Sequence, residues 1–155
     1  AALRTAYTLI TGDELEDVDF CAVRGVEGIK EATVKVGDLD VSVAVAHSTS
    51  MAAKLLDAVK RGEKNYTFIE VMGCPGGCVN GGGQPIVDAA VRAEVDIRTE
   101  RAKALYCEDT AKKYRKSHQN PEIKKIYADY LEKPGSHKSH KLLHTKYTAR
   151  PKYSK

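Results

Sequence analysis

The sequence predicts an α/β fold in two parts. The first is a partial α/β lobe with a β-hairpin and a parallel strand ending in a cysteine- and glycine-rich loop, and the second is an all-helical C-terminal region. Three observations carry this. Two runs of alternating apolar residues meet at Gly37-Asp38, the pattern of a hairpin with one buried face. A short run dense in β-formers, residues 66–72, breaks off at Gly73-Cys74-Pro75-Gly76-Gly77-Cys78. Beyond Val87 the apolar period becomes that of helices joined by short polar links.

The elements follow in order. Residues 1–10 read as the last turns of an apolar helix with no initiator methionine, so the chain is expected to be a piece of something longer. In the hairpin, residues 30–46, Ala32, Val34 and Val36 face Leu39, Val41, Val43 and Val45 across the turn. His47, Ser48, Thr49 and Ser50 offer N-caps to a helix whose Met51, Leu55, Leu56 and Val59 share a face, and Gly62 is its stop. The strand at 66–72 is expected to be buried. A helical run covers residues 93–106. Asn120 as N-cap, Pro121 at the first helical position and Glu122 in the first turn open a further helix. Its Ile123, Ile126, Tyr127, Tyr130 and Leu131 form an apolar stripe expected to pack on the lobe. After Pro134-Gly135, residues 136–145 predict a short helix with Leu142 and Leu143 inward, and Tyr147 begins an extended tail. There is no internal repeat. The boundary falls at residue 87, giving regions 1–87 and 88–155.

At 155 residues and 42% hydrophobic content the chain has material for one modest core. No stretch approaches the run of about 18 apolar residues that crosses a bilayer, and the N-terminus lacks a signal pattern. No membrane role is expected, and the cytoplasm is the expected compartment. Charge is unevenly spread: residues 111–155 hold 13 Lys and Arg against 3 Asp and Glu. A nucleic-acid arm is one reading of such a tail, but its basic residues are interleaved with an ordered apolar pattern. A solvated face is the plainer reading, so no nucleic-acid partner is expected. Docking of an acidic electron carrier is a third.

The four cysteines are Cys21, Cys74, Cys78 and Cys107. Without a secretion signal they do not make a disulfide framework. Cys74 and Cys78 share a loop at the carboxyl end of a strand, the edge where ligands of α/β sheets collect. Thiolates are the soft ligands chosen by iron-sulfur clusters and zinc, and glycines such as Gly81, Gly82 and Gly83 let the backbone approach a cluster closely. Taken alone, the pair also fits buried small thiols beside a glycine turn. A thioredoxin-type redox pair has two intervening residues rather than three, and a zinc site needs two further ligands.

The run Glu70-Val71-Met72-Gly73-Cys74-Pro75-Gly76-Gly77-Cys78-Val79-Asn80-Gly81-Gly82-Gly83-Gln84-Pro85 resembles the third signature of iron-iron hydrogenases, Glu-x-Met-x-Cys-x-x-Gly-Cys-x-x-Gly-Gly-Gly-x-Pro. Arg115-Lys116-Ser117-His118-Gln119-Asn120-Pro121, Lys133-Pro134-Gly135-Ser136-His137 and Leu142-Leu143-His144-Thr145-Lys146-Tyr147 resemble that family's small-subunit region, fused here to the large-subunit segment. Val23-Arg24-Gly25 and Gly28-Ile29-Lys30-Glu31-Ala32 are similar to the segment ahead of the hairpin.

The resemblance implies a 4Fe-4S cubane joined to a di-iron subsite, the H-cluster, serving reversible cleavage of dihydrogen into protons and electrons. By position, Cys74 is similar to a terminal cubane ligand, Cys78 to the ligand bridging cubane and di-iron unit, and Met72 to the side chain packed beside the di-iron unit. Gly73 is often alanine in the family. The other two cubane cysteines and the proton-relay residues belong to segments this chain lacks, so the rest of the catalytic subunit is an implied partner. The tail looks most like subunits of cytoplasmic enzymes coupled to ferredoxin and NAD or NADP. Cys21, Cys107, His47, His118, His137, His140 and His144 are expected to be structural or incidental. Two alternatives stay open: a relative of the prelamin-binding and cytosolic iron-sulfur assembly proteins without hydrogenase activity, and a non-catalytic docking subunit.

Overall fold

The structure is a computed structural model and describes residues 2–149 and 151. The end of the expected tail, Arg150 and residues 152–155, lies outside the described residues. The chain divides into two compact units, Ala1–Arg115 and Lys116–Lys155.

In the first unit α1 (Ala2–Thr11) leads to β1 (Ile29–Val36) and β2 (Leu39–His47), then α2 (Thr49–Lys60) and β3 (Phe68–Met72). Gly37, at φ +61°, takes the left-handed conformation that closes the tight turn between β1 and β2. The hairpin is antiparallel, with Val36 opposite Leu39 and Ala32 opposite Val43. After the α2 crossover β3 pairs in parallel with β2, Val45 opposite Glu70 and His47 opposite Met72, giving the order β1-β2-β3.

The central strand explains the core. Val43, Ala44, Val45, Ala46 and His47 are all buried, so β2 is covered on both faces rather than alternating. Ala44 and Ala46 lack bulk, and this lets α2 lie close with Ala52 and Leu55 against them. Ser48 caps α2, its Oγ accepting from the Met51 N–H at 3.4 Å. The expected α2 face is corrected at Leu56, which is 51% exposed; one residue past Leu55 the helix has turned about 100° away from the sheet. The expected burial of the strand at 66–72 is also corrected. β3 is the sheet edge, and Phe68 and Val71 are exposed.

The expected helix at 93–106 is two helices, α3 (Ala89–Glu94) and α4 (Ile97–Ala111). Asp96 divides them by capping α4, its Oδ1 accepting from the Arg98 and Thr99 N–H groups. An ionic cluster fixes the far end of α4. Asp109 accepts a two-pronged hydrogen bond from Arg4 at 2.8 and 2.9 Å and another from Arg115 at 2.6 Å. Arg24 reaches both Asp109 and Asp19, and stacks over the Tyr106 ring. The Arg4 hydrogen bonds hold the Asp109 carboxyl well below the usual carboxylate range, against the opposing effect of burial.

The second unit holds α5 (Pro121–Ile126), a widened π-helical turn at Tyr127–Leu131, and α6 (His137–Leu143). Asn120 caps α5 and Ser136 caps α6. Ile123, Ile126 and Tyr130 are exposed, which corrects the expectation of a packed stripe at those positions, while Leu131 of the same expected stripe is buried. The π turn shifts only the residues beyond Ile126 out of a regular helical register, and within it Leu131 is buried while Tyr130 is exposed. Leu142 and Leu143 are exposed too, while Ser136 and Ser139 are the buried residues of this segment. Among the described residues no helix is long and apolar enough to cross a membrane.

Candidate functional site

The end of β3 sets the position of the cysteine loop. Met72 lies opposite His47 in the sheet, and its carbonyl accepts from the Ser48 N–H at 2.7 Å, tying the strand end to the start of α2. The chain then curls through consecutive turns. The Gly77 N–H donates to the Cys74 carbonyl at 2.9 Å, Asn80 to Gly77 at 3.1 Å, Gly81 to Cys78 at 3.1 Å and Gln84 to Gly81 at 3.1 Å. Cys74 is half-buried, and Cys78, opening the short 3₁₀ turn Cys78–Asn80, is exposed.

The glycines of this loop differ in what they do. Gly77, at φ +84° and ψ −164°, occupies backbone space essentially reserved for glycine. A Cβ there would also lie 2.9 Å from Met72 Sδ and 3.2 Å from His47 Nε2. At Gly81 a Cβ would lie 3.2 Å from the Cys78 carbonyl and 3.9 Å from Cys74 Sγ. Gly82 and Gly83 have ordinary φ, and a Cβ at either would meet open space. Neither turn geometry nor packing within the chain demands glycine at those two positions. They leave open space beside the loop, as a large inorganic ligand requires.

Beneath the loop sits a buried lysine–histidine pair that sequence reasoning did not bring together. Lys30 Nζ donates to the Gly25 carbonyl at 2.7 Å and lies 3.4 Å from His47 Nε2. Burial pushes the pKa of both side chains down, and the Lys30 charge lowers that of His47 further. The only sequence sign was a lysine and a histidine at the two ends of the apolar hairpin runs.

The loop also receives side chains from α4. Arg101 Nη1 donates to the Val79 carbonyl at 3.2 Å, and Nη2 to the Pro85 carbonyl at 2.6 Å. The Arg98 stem lies over Gly76, with Cδ 3.0 Å from where a Cβ would stand. A cleft of about 730 Å³ opens between Gly81, Gly82 and Gln84 on one side and α3 and α4 on the other. Neither cysteine lines it, so a shared cavity for the two sulfurs is not what this cleft provides.

Cys74 and Cys78 are free thiols on one loop, while Cys21 and Cys107 are exposed free thiols on other elements. Among the described residues no group of three or more His, Cys, Asp or Glu side chains is arranged to hold a metal ion. The donor set at the loop is two soft thiols with room around them. It suits a shared sulfur-ligated cluster completed from elsewhere and does not make a closed tetrahedral zinc site.

Residues 1–82, more than half of the chain, match the iron only hydrogenase large subunit, C-terminal domain. The chain belongs to the iron-only hydrogenase family. Residues 95–150 match the iron hydrogenase small subunit. The chain is 49% identical over 97% of its length to the NADP-reducing hydrogenase subunit HndD of Solidesulfovibrio fructosivorans, and 46% identical over 95% to iron hydrogenase 1 of Clostridium pasteurianum. It spans about a quarter of each relative, 25% and 26%. The apo FeFe-hydrogenase HydA1 of Chlamydomonas reinhardtii superposes with a TM-score of 0.73 at 36% identity, covering 96% of this chain and 43% of that one.

Met72, Cys74, Cys78, Gly81 and Gly82 lie inside the large-subunit match, and Gly83 just past it. The expected boundary at residue 87 lies between the two family matches. The compact units part later, after Arg115, because α4 is fastened to the first unit through Asp109 and Arg101.

Proposed function

We propose that this chain is part of an enzyme that oxidises dihydrogen reversibly to protons and electrons, and that Cys74 and Cys78 are two ligands of its active-site H-cluster. One observation supports this above the others: two thiols share a loop whose Gly82 and Gly83 are required by neither backbone nor packing. When bound, the 4Fe-4S cubane and di-iron subsite supply the electron storage and the redox chemistry. The chain's residues do the rest. Cys74 and Cys78 provide thiolates, Gly81 allows close approach, Gly82 and Gly83 allow it too and leave their N–H groups to be aimed at sulfur, and Met72 supplies an apolar wall. The remaining ligands come from other parts of the full-length subunit. The functional division we propose is a cluster-binding segment at 1–87 and a small-subunit-like segment at 88–155.

The similarity to an NADP-reducing hydrogenase subunit supports a cytoplasmic enzyme working with partner subunits that pass electrons to NADP, with ferredoxin as the competing acceptor. The second reading is the assembly-protein class. It is favoured by a match of similar extent, 33% identity over 96% of the chain, to a probable cytosolic Fe-S cluster assembly factor of Drosophila mojavensis. The lower identity makes it the weaker of the two.

The test uses the full-length, matured protein, assayed for dihydrogen uptake and evolution with viologen, ferredoxin and NADP supplied in turn. Turnover in both directions is expected. A protein with a complete iron-sulfur spectrum and no turnover in either direction would move the assignment to the assembly class.

A further inference from the structure

We infer that α4 is a clamp on the cysteine loop, with Arg101 and Arg98 as positioning residues for Cys74 and Cys78; the inference rests on the cluster-binding reading above. The geometry is specific. The Arg101 guanidinium joins the Val79 and Pro85 carbonyls, the two points between which the segment carrying Gly81, Gly82 and Gly83 leaves and returns. A planar fork with several fixed donors spans two acceptors in this way, and a lysine ammonium, a single point charge, does not hold the same span. The five residues between those carbonyls, Asn80 to Gln84, hold one turn of their own, the Gln84 N–H on the Gly81 carbonyl, and Arg101 ties the two ends of the segment across it.

Arg98, one turn earlier on α4, acts on the other half of the loop. Its stem covers Gly76, inside the turn that runs from Cys74 to Cys78. The helix thus meets both turns of the loop, one by hydrogen bonding and one by packing. Its own position is held at the far end by Asp109, whose carboxylate is gripped by Arg4 and Arg115. Asp96 fixes the near end as N-cap. A helix of the small-subunit-like segment, capped at its near end and fastened to α1 through Asp109 at its far end, is therefore placed to keep two thiols of the large-subunit-like segment at one spacing. Groups that orient metal ligands without touching the metal commonly change affinity by about 10- to 100-fold when removed.

The experiment uses the full-length protein carrying its cubane, before the di-iron subsite is inserted, and follows loss of iron-sulfur absorbance to an iron chelator. Arg101→Met should lose the cluster about tenfold faster than wild type, and Arg98→Ala should also be faster. Arg101→Lys should fall between wild type and Arg101→Met, and serves as the deciding variant if Arg101→Met does not fold. Lys103→Met, which removes a charge from the exposed side of the same helix, should match wild type. A wild-type chelation rate in both Arg101→Lys and Arg98→Ala overturns the clamp. Cys74→Ala separates this result from failure of the ligation reading: an unchanged cluster spectrum in Cys74→Ala refutes the ligation itself, whereas a lost cluster there with unaffected arginine variants refutes only the clamp.

Discussion

The α/β lobe and the C-terminal helices are built from opposite resources. In the lobe, five consecutive residues of β2 are buried and α2 closes on Ala44 and Ala46. The stabilising contacts join residues far apart in sequence. In the second unit Ile123, Ile126, Tyr130, Leu142 and Leu143 are exposed, and the helix ends rely on local caps at Asn120 and Ser136. The comparison teaches where an apolar residue stabilises this protein. Leu55 and Ile126 look alike in the sequence pattern, but only Leu55 is removed from water.

That contrast gives the largest expected effect. In this chain Leu55→Ala should cost about 3 kcal/mol of stability, from lost burial and the cavity left behind. Ile126→Ala should stay within about 0.5 kcal/mol. Denaturant midpoints measure both, and equal losses would break the comparison. Next comes the loop that the lobe carries. Gly77→Ala should cost about 2 kcal/mol, because it combines a forbidden backbone region with contact against Met72 and His47. Gly73→Ala should be silent in the same measurement, since its methyl meets open space.

Smaller still is the ionic fastening of α4. Asp109→Asn should cost about 1.5 kcal/mol at neutral pH through weaker hydrogen bonds from Arg4 and Arg115. Because folding lowers the Asp109 pKa, its contribution is complete above the unfolded value near 4 and is lost as pH falls through the folded value. The gap between wild type and Asp109→Asn should therefore be constant above about pH 5 and shrink in stronger acid. A gap that widened on acidification would contradict the assignment. The smallest effect belongs to the helical unit. Ser136 accepts from the Ser139 N–H and donates to the Leu131 carbonyl, and Ser136→Ala should cost about 1 kcal/mol.

Local chemistry made much of this architecture readable. Gly37-Asp38 between alternating runs set the hairpin, and Ser48, Asn120 and Ser136 appear as caps at or near the positions that capping rules assign. The parallel return of β3 and the turn-rich cysteine loop followed from a strand, a helix and a strand ending in glycines. Coverage was not readable. Whether a strand is central or at an edge depends on what lies beside it, so Val71 on β3 was expected inside and is exposed, while all of β2 from Val43 to His47 is buried. Nor does any pattern mark Arg101, whose two acceptors lie 16 and 22 residues away and are backbone carbonyls. Side chains that reach distant backbone leave no period in the sequence. Cys74 and Cys78 were singled out by the resemblance of their run to a family signature, since their spacing alone also fits buried thiols, and the Lys30–His47 contact emerged only once β1 and β2 were paired.

The most direct test of the central claim compares two exposed free cysteines, Cys78 and Cys107, in the full-length, matured protein by iron content and electron paramagnetic resonance. If Cys78 joins the cubane to the di-iron subsite, Cys78→Ala loses the coupled signal and all hydrogen turnover. Cys74→Ser, with a harder oxygen ligand in place of a thiolate, keeps a perturbed iron-sulfur signal. Cys107→Ala is spectroscopically unchanged. A Cys78→Ala protein with wild-type iron content, a normal coupled spectrum and full activity would contradict the account.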